Sequence, residues 1–185
     1  MGCQEPTRPR LRYRTSRHVL GYIEMSLLTW ANRIINSRDP DFVLGEYHTC
    51  LERWHVLPRN NLFNIYVHRW LDSDPDESHV FHDHPYANIT IVLKGMYWER
   101  FKYGHRLRRT GAVIVRRPST AHRIELIDAG VSAKYENVKI QVITLFMTGP
   151  RVRSWGFHCP KGWVYWKTYL ANAKHRGTPH RGCEE

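Results

Sequence analysis

The sequence has few cysteines and no long apolar segment, and both absences restrict the class of protein. Four cysteines occur in 185 residues, and no two of them have the CxxC spacing of many zinc and redox sites. They are Cys3, Cys50, Cys159 and Cys183, and we predict free thiols in a reducing compartment. No apolar run approaches the ~20 residues of a membrane span, and no apolar signal segment is present. We therefore expect a cytoplasmic protein without a membrane partner.

Acidic residues are scarce relative to basic ones. The chain has 28 lysines and arginines against 17 aspartates and glutamates, which gives a formal net charge of +11. Such a charge makes phosphate-rich partners conceivable. Basic residues are prominent in two terminal segments, 1–17 and 171–185, which we predict to be flexible tails. The tails either bind nucleic acid through its phosphates or keep the protein solvated, and we favour the second interpretation.

Residues 18–170 have the composition of a single folded domain with one helix and many strands. The apolar content is 42% and the aromatic content is 12%, which supports one hydrophobic core. Residues 18–37 carry apolar side chains at helical spacing, and Asp39-Pro40 ends that segment. About eight to ten short runs rich in Val, Ile and aromatics follow, without strand–helix alternation. The pattern predicts an all-β barrel or sandwich with an N-terminal amphipathic helix.

A pair of histidines stands directly before the most strand-like segment of the chain. In FHDHPYANITIVLKG (81–95), His82 and His84 are two residues apart, and a β-branched run follows at 89–93. Side chains two apart on a strand point to the same side, and imidazole is the commonest protein ligand for transition metals. The pair therefore predicts part of a metal site. His122, in GAVIVRRPSTAHRIEL (111–126), is the candidate for a third ligand.

The first of these segments resembles the first motif of the cupin family, Gly-x5-His-x-His-x3,4-Glu-x6-Gly. His82, His84, position 88 and Gly95 follow one another at the motif's spacing. The opening glycine of the motif is absent, and Asn88 stands where the family has glutamate.

The second segment resembles the second cupin motif, Gly-x5-Pro-x-Gly-x2-His-x3-Asn, more loosely. Gly111, Pro118 and His122 match with altered spacing, and the motif's second glycine and its asparagine are absent. The resemblance implies a small jelly-roll β-barrel, spanning about residues 46–170, in which His82, His84 and His122 bind a metal ion.

A three-histidine set without glutamate is similar to that of the thiol dioxygenases, which are cupins that bind Fe(II). HDHP (82–85) matches the corresponding segment of plant cysteine oxidases and aminoethanethiol dioxygenases, and HRIEL (122–126) is similar to the HRVEN segment of cysteine dioxygenases. This resemblance implies an Fe(II) site that transfers both atoms of O2 to a thiol. The donor set also suits Zn, Mn or Ni. Over most of its length, and especially at 151–163, the chain resembles small cupin-like proteins of bacteria and their phages, which implies no activity.

The strand FNIYVHRWL (63–71) supplies further candidates for the pocket. Tyr66 and His68 share one face and Arg69 lies on the other, and the sequence does not decide which face is internal. Tyr66 or Arg69 is therefore our candidate for orienting a substrate. We expect Asn88, His68 and Thr90 to lie beside the metal site.

Other functions remain open at this stage. A cupin isomerase would need a carboxylate for proton transfer, for which Glu99 and Glu125 are the candidates. A non-catalytic metal- or ligand-binding module, with nucleic acid or an acidic protein as partner, is the other alternative. His158 and Cys159 either bind zinc or belong to an aromatic cap on the barrel. The cupin resemblance also suggests a homodimer.

Overall fold

The computed structural model describes residues 14–45, 48–76, 78–130, 138–175 and 181–183, with only the backbone described at 14–20 and 22–24. Two helices are present in this part of the chain, α1 (Arg14–Ser37) and α2 (Trp166–His175). The strands are β1 (Phe42–Leu44), β2 (Leu51–His55), β3 (Asn64–Trp70), β4 (Phe81–His82), β5 (Asn88–Lys94), β6 (Met96–Phe101), β7 (Gly104–Arg109), β8 (Val113–Arg116), β9 (Arg123–Leu126), β10 (Val142–Thr148), β11 (Gly156–Cys159) and β12 (Gly162–Tyr165). Neither helix is both long and apolar enough to cross a membrane, and the cytoplasmic location stays a prediction.

The strands form one large and two small antiparallel sheets. The large sheet has the order β1-β2-β3-β10-β5-β8, and the small sheets have the orders β12-β11-β4 and β7-β6-β9. A backbone bridge between His82, in β4, and His122, next to β9, connects the two small sheets. The all-β architecture with an N-terminal helix is confirmed.

The core lies between the large sheet and the sheet that contains β6 and β9. Trp70, Val92 and Val142 of the large sheet pack with Tyr97 of β6 and Leu126 of β9. The alternation of apolar side chains along each strand thus produces one buried face that closes against the other.

Helix α1 covers the opposite face of the large sheet. Its buried Ala31 and Ile35 pack with Trp54, Val67 and Leu145 of that sheet. The helix predicted for 18–37 is therefore present, and it begins earlier, at Arg14. The amphipathic stripe at its C-terminal end explains its position, because an apolar stripe must be buried against another element.

The motif glycines lie at turns that require a positive φ. Gly95 joins β5 to β6 with φ +85°, and Gly111 precedes β8 with φ +87°. A Cβ atom at position 95 would lie 2.5 Å from the backbone oxygen of Gln141, so no larger residue fits there. These turns allow the strands next to both histidine-containing segments to fold into one barrel-like arrangement.

The C-terminal segment is partly folded onto the domain, which corrects two predictions. Helix α2 continues to His175, and Cys183 forms a disulfide with Cys159 of β11. Residues 171–175 and 181–183 therefore do not form a flexible tail, and two of the cysteines are not free thiols. Cys50 is free and buried. Residues 1–13 of the predicted N-terminal tail lie outside the described residues. The binding of this tail to nucleic acid stays a prediction.

We expect Cys183→Ser to lower the free energy of unfolding by about 3 kcal/mol, because the disulfide closes a loop across 24 positions. Denaturant titration of the wild type and the variant measures this. Reductant should bring the wild type to the stability of the variant and leave the variant unchanged. A wild type whose unfolding does not respond to reductant would contradict the prediction.

Candidate metal centre

Two backbone hydrogen bonds hold the two histidine segments together. The amide N–H of His82 donates to the carbonyl oxygen of His122, and the N–H of His122 donates back, each at 2.9 Å. Residues paired in this way on antiparallel strands project their side chains to the same side. The His82 and His122 rings are accordingly 4.9 Å apart. The amide of His84 donates to the carbonyl of Pro118 at 3.1 Å, which adds the third ring to the same place.

The three imidazoles fit one metal ion. One ring nitrogen from each of His82, His84 and His122 lies within 4.8 Å of the others. The Nε2 atoms of His84 and His122 are 2.9 Å apart. Two nitrogens bound to one ion at about 2.1 Å and at a right angle would be about 3.0 Å apart. The predicted set of three histidines is thus brought together, with a geometry that leaves other coordination positions open.

The protein environment keeps two of these histidines, His84 and His122, in the form that binds metals. Desolvation lowers the pKa of His122 to about 3, although the neighbouring Glu99 opposes this shift. Desolvation and the nearby His122 also lower the pKa of His84 well below its usual value. Neutral imidazoles have a free lone pair at neutral pH, so no proton has to leave before a metal binds.

A fully buried carboxylate supports His122 from behind. Oε1 of Glu99 lies 3.1 Å from Nδ1 of His122, a close contact whose direction falls short of a well-aligned hydrogen bond. Arg116 and Arg108 donate from their Nε atoms to the two Glu99 oxygens at 2.6 and 2.7 Å. Burial alone would raise the pKa of Glu99, but the contact with His122 and the charge of Arg116 outweigh it and lower the pKa. Glu99 is therefore ionised and positions the ring of His122.

Two of the predicted neighbours of the metal belong to the same polar network. Nη1 of Arg116 donates to Oγ1 of Thr90 at 2.7 Å and to Oδ1 of Asn88 at 3.3 Å. The Asn88 oxygen, which stands where the cupin motif has a glutamate, is thus already bonded to an arginine. The sequence did not single out Arg116 or Arg108. An arginine at the end of an otherwise apolar strand, VIVR, is the signal that could have indicated a buried ion pair.

The aspartate between the two histidines points away from the site. Asp83 is buried and accepts hydrogen bonds from the backbone N–H of Gly156 at 2.9 Å and from Nη1 of Arg153 at 2.8 Å. Nε1 of Trp163 and Nε2 of His158 lie 3.1 and 3.2 Å from its Oδ2. The conspicuous 151–163 segment is therefore tied to the histidine segment through one carboxylate. His158 contacts Asp83 and Cys159 is in the disulfide, which favours the structural interpretation of both.

The acidic loop before the histidines also reaches the site. Asp74 is buried, and its side chain accepts a hydrogen bond from the backbone N–H of Ile124 in β9. Its Oδ2 lies 3.9 Å from Nδ1 of His82. Asp74 and Glu99 thus place negative charge behind two of the three rings. The sequence of that loop does not show which neighbouring strand receives the Asp74 carboxylate.

The structure decides which face of β3 is internal. Tyr66 and His68 face inward, where both rings stack with Phe146 at 6.2 and 5.1 Å between centroids. Phe146 in turn lies 6.0 Å from the ring of His84. Tyr66 and His68 therefore lie on the same inner side of the sheet as the histidine cluster, and the Phe146 ring separates them from it.

Arg69 lies on the opposite face, which corrects its candidacy for orienting a substrate. Its Nε donates to Glu52, and its guanidinium lies 5.3 Å from the Trp54 ring on the side that α1 covers. Residues two apart on a strand share a face, so Arg69 and Tyr66 could not both face the cavity.

Replacing the buried carboxylate of Glu99 should lower the free energy of unfolding much more than replacing a half-exposed carboxylate. We expect Glu99→Gln to lower the free energy of unfolding by about 3 kcal/mol, because Arg116 and Arg108 lose their buried counter-charge. Glu125→Gln is the matched control, since Glu125 pairs with Arg100 at a half-exposed position, and should cost less than about 1 kcal/mol. Equal losses in denaturant titrations would contradict the assigned role of Glu99.

No protein-family model matches the chain, and no curated protein is significantly similar to it in sequence. Solved structures are similar to it in fold. KdgF from a Halomonas species has 14% identity and a TM-score of 0.44, over 64% of this chain and 94% of that one. A cupin-2 domain from Rhodospirillum rubrum has 10% identity and a TM-score of 0.44, over 60% and 70%. The Clostridium difficile EutQ protein has 10% identity and a TM-score of 0.43, over 63% and 79%.

Proposed function

We propose that the protein is a metal-dependent enzyme of the thiol dioxygenase type, which binds one Fe(II) ion through His82, His84 and His122. The convergence of three imidazoles, with no carboxylate of the described residues in the group, is the observation that carries the proposal. Such a ligand set leaves the full positive charge on a divalent ion and keeps positions open for substrate. The match of HDHP at 82–85 to thiol dioxygenases favours iron and a thiol over the alternatives.

When bound by His82, His84 and His122, Fe(II) would supply the redox chemistry that lets O2 react with a thiol. In the overall reaction, two S–O bonds form and the O–O bond breaks, and the thiol becomes a sulfinic acid. Sulfur loses the electrons that O2 gains, so no further co-reactant is needed. The main contribution of the protein to this reaction is therefore to position the reactants correctly.

The chain's own residues would position the ligands and restrict water. Glu99, fixed by two arginines, holds the ring of His122 in place. Asp83 holds the backbone between His82 and His84 through its four donors. Beside His84, the rings of Phe146 and Tyr86 lie at 6.0 Å and form an apolar wall. Tyr66 remains a candidate for contact with a substrate that extends past Phe146.

The positions of the two candidate carboxylates do not favour an isomerase. Glu99 is ionised and both of its oxygens are bonded to arginines, so it is poorly suited to accept and return a proton. Glu125 pairs with Arg100 at 2.8 Å and is half-exposed. Neither carboxylate is available as a proton shuttle beside the histidines.

Metal analysis tests the ligand set. We expect about one iron ion per chain in wild-type protein reconstituted with Fe(II) under anaerobic conditions, and a loss of most of it in His82→Ala, His84→Ala and His122→Ala. His175→Ala, at an exposed position in the last turn of α2, is the matched control and should retain the metal. Iron that stays bound in all three variants would place the metal elsewhere and contradict the ligand set.

Oxygen consumption tests the reaction. The iron-loaded protein should consume O2 only when a small thiol is present, and mass spectrometry should find both atoms of isotopically labelled O2 in the sulfinate. His122→Ala should abolish the uptake, because the metal site is lost. An iron-loaded wild type that leaves O2 and a panel of small thiols unchanged would contradict the dioxygenase proposal and leave a metal-binding module.

A further inference from the structure

We propose that Arg53 anchors the anionic end of a ligand on the inner side of the large sheet, and that this ligand is an aromatic carboxylate. If the ligand is the substrate of the enzyme, this inference rests on the proposed function. If the ligand is another organic anion, the inference rests only on the surroundings of Arg53.

Arg53 lies in the middle of the inner face of the large sheet. It is the register partner of Phe42 in β1 and of His68 in β3, and residues paired in this way share a face. Its Nε atom donates to Nε2 of His68 at 2.9 Å. Arg53 is therefore on the same side of the sheet as Tyr66 and Phe146.

Two aromatic rings hold the guanidinium flat. Its central carbon lies 5.2 Å from the centre of the Phe42 ring and 4.9 Å from that of Tyr66. The rings cover parts of its faces and its Nε is used by His68, so the edge with the two Nη atoms is left to bind a ligand. That edge is the part of arginine that matches a carboxylate with two parallel hydrogen bonds.

No carboxylate of the described residues forms an ion pair with Arg53, although other arginines of the fold have such partners. Arg69, Arg108, Arg116 and Arg153 each pair with a buried or half-buried carboxylate. Desolvation lowers the pKa of Arg53, and the ionisable groups that act on it are Tyr86, Tyr66 and Arg59. A desolvated cation without a counter-charge is costly, and a bound anion would remove that cost.

The surroundings also indicate what the rest of the ligand is like. His68, which accepts the hydrogen bond from Arg53, stacks on Phe146, and Phe146 lies beside His84, with 5.1 and 6.0 Å between successive centroids. Tyr86 lies 6.0 Å from the His84 ring and 6.4 Å from that of Phe146. Flat walls of this kind favour a flat, aromatic ligand. Such a ligand could hold Arg53 with its carboxylate and direct its other end at the histidines.

Isothermal titration calorimetry of the full chain with benzoate tests the inference. We expect benzoate to bind the wild type, and Arg53→Met to weaken the binding about 10- to 100-fold, because a charge-assisted hydrogen bond is lost. Arg53→Lys keeps the charge but not the planar edge, so its affinity for benzoate should lie between those of the wild type and Arg53→Met. Arg69→Met is the matched control on the outer face and should bind benzoate like the wild type. Benzamide, which has the same ring without the charge, should bind at least about 10-fold more weakly.

The outcomes separate this inference from the proposed function. His122→Ala should still bind benzoate, because the anion's partner is Arg53 and not the metal. Loss of benzoate binding in His122→Ala, equal binding by wild type and a folded Arg53→Met, or no binding by the wild type would each overturn the inference. Benzoate binding that depends on Arg53, in a protein that consumes no O2 with any thiol, would uphold the anion site and refute the dioxygenase.

Discussion

The reciprocal backbone hydrogen bonds between His82 and His122 are the constraint on which the rest of the structure depends. They connect two small sheets that otherwise have separate pairing partners, and they bring together side chains that are 40 positions apart in the sequence. Because the paired residues project to one side, the same contact that joins the sheets also builds the metal centre. The same pair of hydrogen bonds therefore joins the two small sheets and brings the histidines together.

Buried carboxylates stabilise that geometry from two sides. Glu99 approaches the ring of His122, and Asp83 anchors the backbone between His82 and His84 to the 151–163 segment. Each is compensated by two or more donors, which a charge in the interior requires. The disulfide between Cys159 and Cys183 fastens the same segment further. The rings are therefore held in place by the surrounding fold as well as by their own strands, and a site with such support can be pre-organised for a metal.

The sequence predicted the fold class and the grouping of three histidines because both leave short-range signals. Alternating apolar residues indicated the strands, helical spacing indicated α1, and the two histidine motifs indicated the candidate ligands at 82, 84 and 122. The pattern of strand 63–71 separated its side chains correctly into two faces, but the choice of face depends on what packs against them. Helix α1 covers the side of Val67, and this excludes Arg69 from the cavity and admits Tyr66 and His68.

By itself, the sequence determined which residues can bind a metal and where strands and turns form, since these depend on residue type and on spacing along the chain. Only the tertiary structure decided the partners of the charges. Glu99 meets Arg116, Asp83 meets Arg153, and Arg53 lies beside His68 without a carboxylate partner among the described residues. These pairings join residues 17 and 70 positions apart, and the register of neighbouring strands sets them. No local pattern of the sequence contains that register, because it follows from how the sheets pack around one core.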